Sequence, residues 1–277
     1  MSLKPAAAII LASSLAFSAQ ARTPAETAQS MMQAVFVNFD ANAAKALIAK
    51  DYIQHNPSIP TGRAPIIGFI PALKESGISL TNHRIFAEGN HVVMHNSYTH
   101  AQALGAEKLV SFDVFRIENG VVAEHWDNIA EMTPPNPSGH SQTDGPVVVT
   151  DLDRTADNRK LVTDFVETIL VKGDMSRLAG FFDGDRYIQH NSQIGDGLSG
   201  LGTALAALAE QGITMKYDTV HRVIAQGNFV FTMSEGSFGG RPTAFFDLFR
   251  VENGKIAEHW DVISAIPSEM AHENGKF

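Results

Sequence analysis

Cysteine is absent from the 277 residues, so the chain has no disulfide framework and no thiol nucleophile, and its fold rests on an apolar core. Positive charge is scarce as well. Against 30 Asp and Glu stand 21 Lys and Arg, for a net charge of −9. With no basic runs, that balance argues against nucleic acid and against anionic membrane surfaces as partners and points to a small molecule or another protein. No G-x-S-x-G elbow, P-loop or dinucleotide fingerprint occurs, so serine-nucleophile hydrolysis has no support and no cofactor is expected. No close-spaced ligand motif such as H-E-x-x-H occurs either, so no metal is expected, although His55, His83, His95 and His125 could converge. Long apolar runs are missing beyond the N-terminus.

What is there begins with "MSLKPAAAIILASSLAFSAQA". One positive charge at Lys4, an apolar stretch around Ile9–Phe17 and a small-x-small ending at Ala19–Ala21 have the form of a secretory signal peptide over 1–21. Its apolar part is too short to span a bilayer. The expectation is a secreted or periplasmic protein cut after Ala21.

The chain then repeats itself. "FDVFRIENGVVAEHWD" at Phe112 returns as "FDLFRVENGKIAEHWD" at Phe246, with 12 of 16 positions identical. "DYIQHNPSIPTG" at Asp51 returns as "DRYIQHNSQIGDG" at Asp185, and "NHRIFAEGN" at Asn82 as "VHRVIAQGN" at Val220. Three blocks in one order at offsets of 134–138 residues mean duplicated domains rather than a solenoid. We place the domains at 23–133 and 152–268, joined by a Pro/Gly/Ser-rich linker over 134–151 and followed by a tail, 269–277.

Each copy reads as helices followed by strands. Thr23-Pro24-Ala25-Glu26 combines an N-cap, a proline at the first helical position and a capping-box Glu, and predicts a helix to about Asn38. Asp40 and Asp174 should each cap a second, short helix. A third is expected over 64–75 and again over 199–210. Strands follow at 78–88, 91–101, 107–118 and 121–131. Asn-Gly at 119–120 and 253–254 predicts a type I′ hairpin between the last two. The class is α+β, with about three helices on a curved, mainly antiparallel four-stranded sheet.

Alternation along 111–117 puts Asp113 on one face with Phe115 and Ile117, and Asp247 likewise shares a face with Phe245, Phe249 and Val251. A carboxylate among large apolar side chains is costly unless paired or functional, and desolvation raises its pKa towards what a general base or acid needs. The alternative is a buried ion pair with Arg or His on a neighbouring strand. In "AEHWD", His125 and Asp127 share a face, as do His259 and Asp261. Trp126 and Trp260 either wall a pocket or fill the core. "QHN" (Gln54-His55-Asn56; Gln189-His190-Asn191) sets three hydrogen-bonding side chains in a row, for a site or for anchoring a loop. His83 and His221 each precede an Arg, and the His is expected to be the inward member.

The order "YIQHNP…GR…HR…AEGN…FDVFRIENG…AEHWD" resembles the SnoaL-like branch of the NTF2-like superfamily, across nearly all of both copies. The resemblance implies a cone-shaped fold with an internal pocket. It also implies relatives such as polyketide cyclases, ketosteroid isomerase, scytalone dehydratase and limonene-epoxide hydrolase, in which an inward Asp, often with His or Tyr, moves protons on a mostly apolar substrate. Carried over residue by residue, the candidates are His55, His83, His95, Asp113, His125, Trp126 and Asp127 in the first copy. In the second they are His190, His221, Asp247, His259, Trp260 and Asp261. Pro57 is replaced by Ser192, and the first copy keeps more of the pattern. Because such domains pair through their sheets, the resemblance implies an intramolecular pseudo-dimer, its halves held close by the linker. The expected function is acid–base chemistry of lyase, isomerase or cyclase type, with Asp113 as base. A non-catalytic binder and an interaction module with filled cavities are the alternatives.

Overall fold

The computed structural model describes residues 22–277, so the signal-peptide expectation lies outside the described residues. The first half runs α1 (Pro24–Phe36), α2 (Ala41–Leu47), β1 (Ile48–Gln54), α3 (Arg63–Ser76), β2 (Ser79–Glu88), β3 (His91–Thr99), β4 (Lys108–Glu118) and β5 (Val121–Glu131). The second runs α4 (Thr155–Phe165), continued by a π-helical turn over Val166–Val171, then β6 (Ile188–Gln189), α5 (Gly197–Glu210), β7 (Met215–Gln226), β8 (Phe229–Phe238), β9 (Arg241–Glu252) and β10 (Lys255–Ala265). Among the described residues no helix is long and apolar enough to cross a membrane.

Local chemistry explains the starts and turns. Thr23 caps α1 through a complete capping box with Glu26. The Asp40 carboxylate accepts from the N–H groups of Asn42 and Ala43 and opens α2. Asp174 does not start an α-helix. Its carboxylate is taken by the Ser176 hydroxyl rather than by backbone N–H groups, and residues Met175–Phe181 form 3₁₀ turns instead. Asn119 and Gly120 (φ 50° and 77°) and Asn253 and Gly254 (52° and 73°) make the hairpins at β4–β5 and β9–β10.

Each half carries five strands rather than four, in the orders β1-β5-β4-β3-β2 and β6-β10-β9-β8-β7. The extra strand is the segment that ends at the Gln of "QHN", and it pairs in parallel with the end strand of the meander, Gln54 beside His125 and Gln189 beside His259.

The two sheets pack face to face. Val110, Phe112, Val114 and Trp126 of one half share a buried cluster with Phe231, Met233, Phe246, Leu248 and Trp260 of the other. Two reciprocal contacts brace it: Arg84 lies 4.1 Å over the Trp260 ring and Arg222 4.7 Å over the Trp126 ring. The inward members of the two His-Arg pairs are the arginines, contrary to the expectation for His83 and His221. β-Bulges at Asn82–Arg84 and Val220–Arg222 turn the arginines, not His83 and His221, into the interface. Burial brings the Arg84 pKa down to about 10 against the opposing charges of Glu258 and Asp144. Asn128, fully buried, donates to Ala244 O (3.1 Å) and Val262 O and ties the two end strands together.

Because this packing holds the halves together, Phe246→Ala should lower the unfolding free energy by about 3–5 kcal/mol. Urea denaturation followed by circular dichroism checks this, and a loss below about 1 kcal/mol would mean that the interface is dispensable.

Candidate active site

The face of each sheet turned away from the interface is covered by helices and encloses a cavity, of about 840 Å³ in the first half and 680 Å³ in the second. Open cavities in both halves count against a module with filled pockets. Strand alternation decides what reaches them. Asp113, His125 and Asp127 point into the first, with Gln54 and Asn56 from β1 and the loop after it. Asp247, His259, Asp261, Gln189 and Asn191 line the second.

The other candidates lie elsewhere. His95 pairs with Phe112 and Trp126 with Val114, so both belong to the interface face. His95 stacks on Phe112 at 4.3 Å, and burial, followed by Arg84, drives its pKa well down. His55 and His190 follow the cavity-facing glutamines by one residue and therefore turn the other way. They stack on Trp126 and Trp260 at 4.9 and 4.5 Å, with their Nε2 atoms 2.9 and 2.8 Å from Glu124 and Glu258. Trp260 is fully buried in the interface. His83 is half-buried against the Ser97 hydroxyl, and His221 is exposed beside Glu235. None of these seven lines a cavity.

In the first cavity, Gln54 Oε1 accepts the N–H groups of His55 and Asn56, both at 2.9 Å, which fixes its carbonyl oxygen as the atom 3.1 Å from His125 Nδ1. His125 Nδ1 therefore donates. Its Nε2 lies 3.0 Å from Asp113 Oδ1. Asp113 Oδ2 takes Asn96 Nδ2 at 2.8 Å, the Ser111 hydroxyl and, at 3.4 Å, the Tyr98 hydroxyl. So Asp113 is not the bare carboxylate among hydrocarbon that alternation suggested: donors surround it.

Asp127 differs. Asn56 Nδ2 donates to its Oδ2 at 2.6 Å, but the buried Oδ1 has no hydrogen-bond partner. Lys276 Nζ donates to the Asp127 carbonyl at 2.6 Å and lies 3.8 Å from that Oδ1. Tyr52 and Tyr98 also line the cavity; burial first, then the charges of Asp127 and Asp113, raise both phenols well above their ordinary value, so they remain donors. Sequence reasoning missed Tyr52, Asn96, Tyr98, Ser111 and Lys276. The alternation that places Asp113 also places Ser111, and Tyr52 shares β1 with Gln54. No local signal marks Lys276.

The second site repeats the pattern with different supports. His259 Nδ1 and Nε2 lie 3.1 Å from Gln189 Oε1 and 3.0 Å from Asp247 Oδ1. The phenol near Asp247 comes from another strand: Tyr217 on β7, opposite Gly236, where a Cβ would meet Lys216 O at 1.9 Å. Asp261 has both oxygens on Asn191 Nδ2, at 3.0 and 2.8 Å. In each half the Asp-His-Asp ligand atoms lie within 4.8 Å of one another, so they are also the groups that would hold a metal ion. Within each cluster the His is hydrogen-bonded to the first Asp, while Asp127 and Asp261 bond to Asn56 and Asn191. A third such group, His140, Asp144 and His190, lies on the interface side.

The SnoaL-like domain model matches residues 28–125 and again 162–259, well over half of the chain. The protein belongs to the SnoaL-like family and carries two copies of its domain. No curated protein matches the sequence. Solved structures similar to it include a candidate ketosteroid isomerase from Kribbella flavida, 24% identical, covering 46% of this chain and 90% of its own, with TM-score 0.34. IdmH, a candidate polyketide cyclase from Streptomyces antibioticus, is 18% identical, with 39% and 92% covered and TM-score 0.32. An LEH-like epoxide hydrolase from M. tuberculosis is 15% identical, with 39% and 82% covered and TM-score 0.32.

The second site predicts a pH dependence. Burial alone would lower the His259 pKa, but the hydrogen bond to Asp247 and the charges of Asp261 and Asp247 outweigh it and hold the group above 6.5. Burial also raises Asp261 above 3.8. Both groups bind protons more tightly folded than unfolded, so stability falls as pH rises. The His259 contribution is complete below 6.5 and is lost as pH climbs through the raised value. Urea midpoints should decline across that window, and His259→Gln should flatten the decline; an unchanged slope in the variant would contradict the assignment.

Proposed function

We propose that this protein is an exported enzyme whose first cavity transfers a proton at carbon next to a carbonyl group, without a cofactor, on a mostly apolar substrate. Asp127 Oδ1 carries the proposal. It is a carboxylate oxygen with no hydrogen-bond partner among the described residues, 3.8 Å from Lys276 Nζ, on the wall of a cavity of about 840 Å³. A base must keep a lone pair free for the proton it takes. Asp113 was the expected base, but its oxygens are engaged by Asn96, Ser111 and His125, and it serves to hold the His125 ring in place. The Tyr52 phenol, which accepts from Gln54 Nε2 at 3.3 Å and keeps its own proton free, then stands beside the base as a donor to the oxygen on which charge develops. Membership of the SnoaL-like family supports a small-molecule cavity of this kind. The signal-like segment 1–21 supports export.

The test is exchange of α-protons in D₂O, followed by NMR, over a panel of ketones and β-dicarbonyl compounds. Asp127→Asn should abolish exchange while leaving ligand binding intact. Asp113→Asn should slow it by roughly 10²-fold by loosening the His125 ring. Binding without exchange for every compound would instead establish a non-catalytic binder.

A further inference from the structure

The two segments that follow the last strand of each half cross to the opposite half. Residues 136–144, after β5, lie over the "QHN" loop of the second half: Asn136 Nδ2 donates to Gln189 O and Ile194 O, and His190 Nδ1 lies 2.8 Å from Ser141 O. Residues 271–277, after β10, do the same for the first half. Ala271 N donates to Pro57 O at 2.7 Å, Asn274 Nδ2 to Gln54 O at 2.9 Å, and His272 Nε2 and His55 Nδ1 lie 2.9 Å from Asn56 O and Gly275 O. The straps are reciprocal but not alike. The second puts a lysine into the cavity it covers. Among the residues lining the second cavity the cation is Arg241, which is exposed.

Lys276 is 6% exposed, and its ammonium has a single hydrogen-bond acceptor, Asp127 O, with Asp127 Oδ1 3.8 Å away. Two of its three N–H bonds are therefore uncommitted in a cavity whose carboxylate oxygen is also uncommitted. Two such groups on one wall are placed to engage neighbouring atoms of one substrate. We propose that Lys276, supplied by the second half of the chain, is the ligand for the substrate's carbonyl oxygen in the first cavity, which makes that cavity selective for compounds that can carry an oxyanion. This deepens the acid–base reading above. When the α-C–H bond breaks, its proton passes to Asp127 Oδ1, its electron pair forms the C=C bond, and the carbonyl π pair becomes the enolate oxygen facing Lys276. Burial lowers the Lys276 pKa, with Asp127 and Asp113 opposing, and a more acidic ammonium is a stronger donor.

The probe is 4-nitrophenol, whose phenolate is coloured and whose neutral form is not, bound to the full chain at fixed pH. Ala204→Trp in the background blocks the second cavity, which Ala204 lines. Relative to this parent, Lys276→Met should lower the phenolate-to-phenol ratio of the bound probe about tenfold, and Lys276→Arg should restore most of it. An equal ratio with Met, or no recovery with Arg in a chain shown by circular dichroism to be folded, overturns the assignment, as does a parent that does not bind the probe. Loss of α-proton exchange from the whole compound panel would sink the reaction proposed above without touching this readout. An unchanged colour sinks the lysine without touching the exchange.

Discussion

The apolar contact between the two sheets is the constraint on which the rest depends. A sheet has two faces, and side chains alternate between them. Once Phe112, Trp126, Phe246 and Trp260 are committed to the partner sheet, every second residue of β4, β5, β9 and β10 is free to face the other way. Those residues are Asp113, His125 and Asp127 in one half and Asp247, His259 and Asp261 in the other. The site is the complement of the interface. A one-residue slip of register would bury the acids against the other sheet and expose the phenylalanines. Duplication thus preserves a polar cluster and an apolar face together, since neither can be kept without the other.

The interface also sets what lies over each cavity. With the halves packed face to face, the chain leaving β5 or β10 is already beside the opposite half, and each segment runs across the partner's "QHN" loop. The residues between the halves, which read as a loose linker, are held closely. Arg84 donates to Thr143 O, Asp144 O and Pro146 O, and at Gly145 a Cβ would lie 2.5 Å from Glu258 and 2.9 Å from Trp260. Glycine is required there by close approach. The two straps differ in sequence, so the two cavities differ in chemistry even though their Asp-His-Asp clusters agree.

What the sequence made legible follows the same physics. Period-two alternation located the cavity carboxylates and His125 and His259, and Asn-Gly placed both hairpins. Repetition gave the duplication. Alternation failed at His83 and His221, because bulges shift the phase where Arg84 and Arg222 reach across. It could not separate His55 and His190 from their neighbours while β1 and β6 were unrecognised, since "IAKDYIQ" carries exposed Lys50 and Asp51 and has no clean apolar period. The hydrogen bonds that commit Asp113 and leave Asp127 Oδ1 free come from residues on other strands. Lys276 comes from 149 positions away. Only the folded chain brings those together.

Native-state hydrogen exchange tests most directly whether the sheet contact governs the whole molecule. If it does, the slowest amides of β4 and of β9 should open with one free energy and respond equally to denaturant, because neither sheet keeps its buried face without the other. Amides of one sheet that exchange while those of the other remain protected would contradict the account and show two independent domains in simple contact.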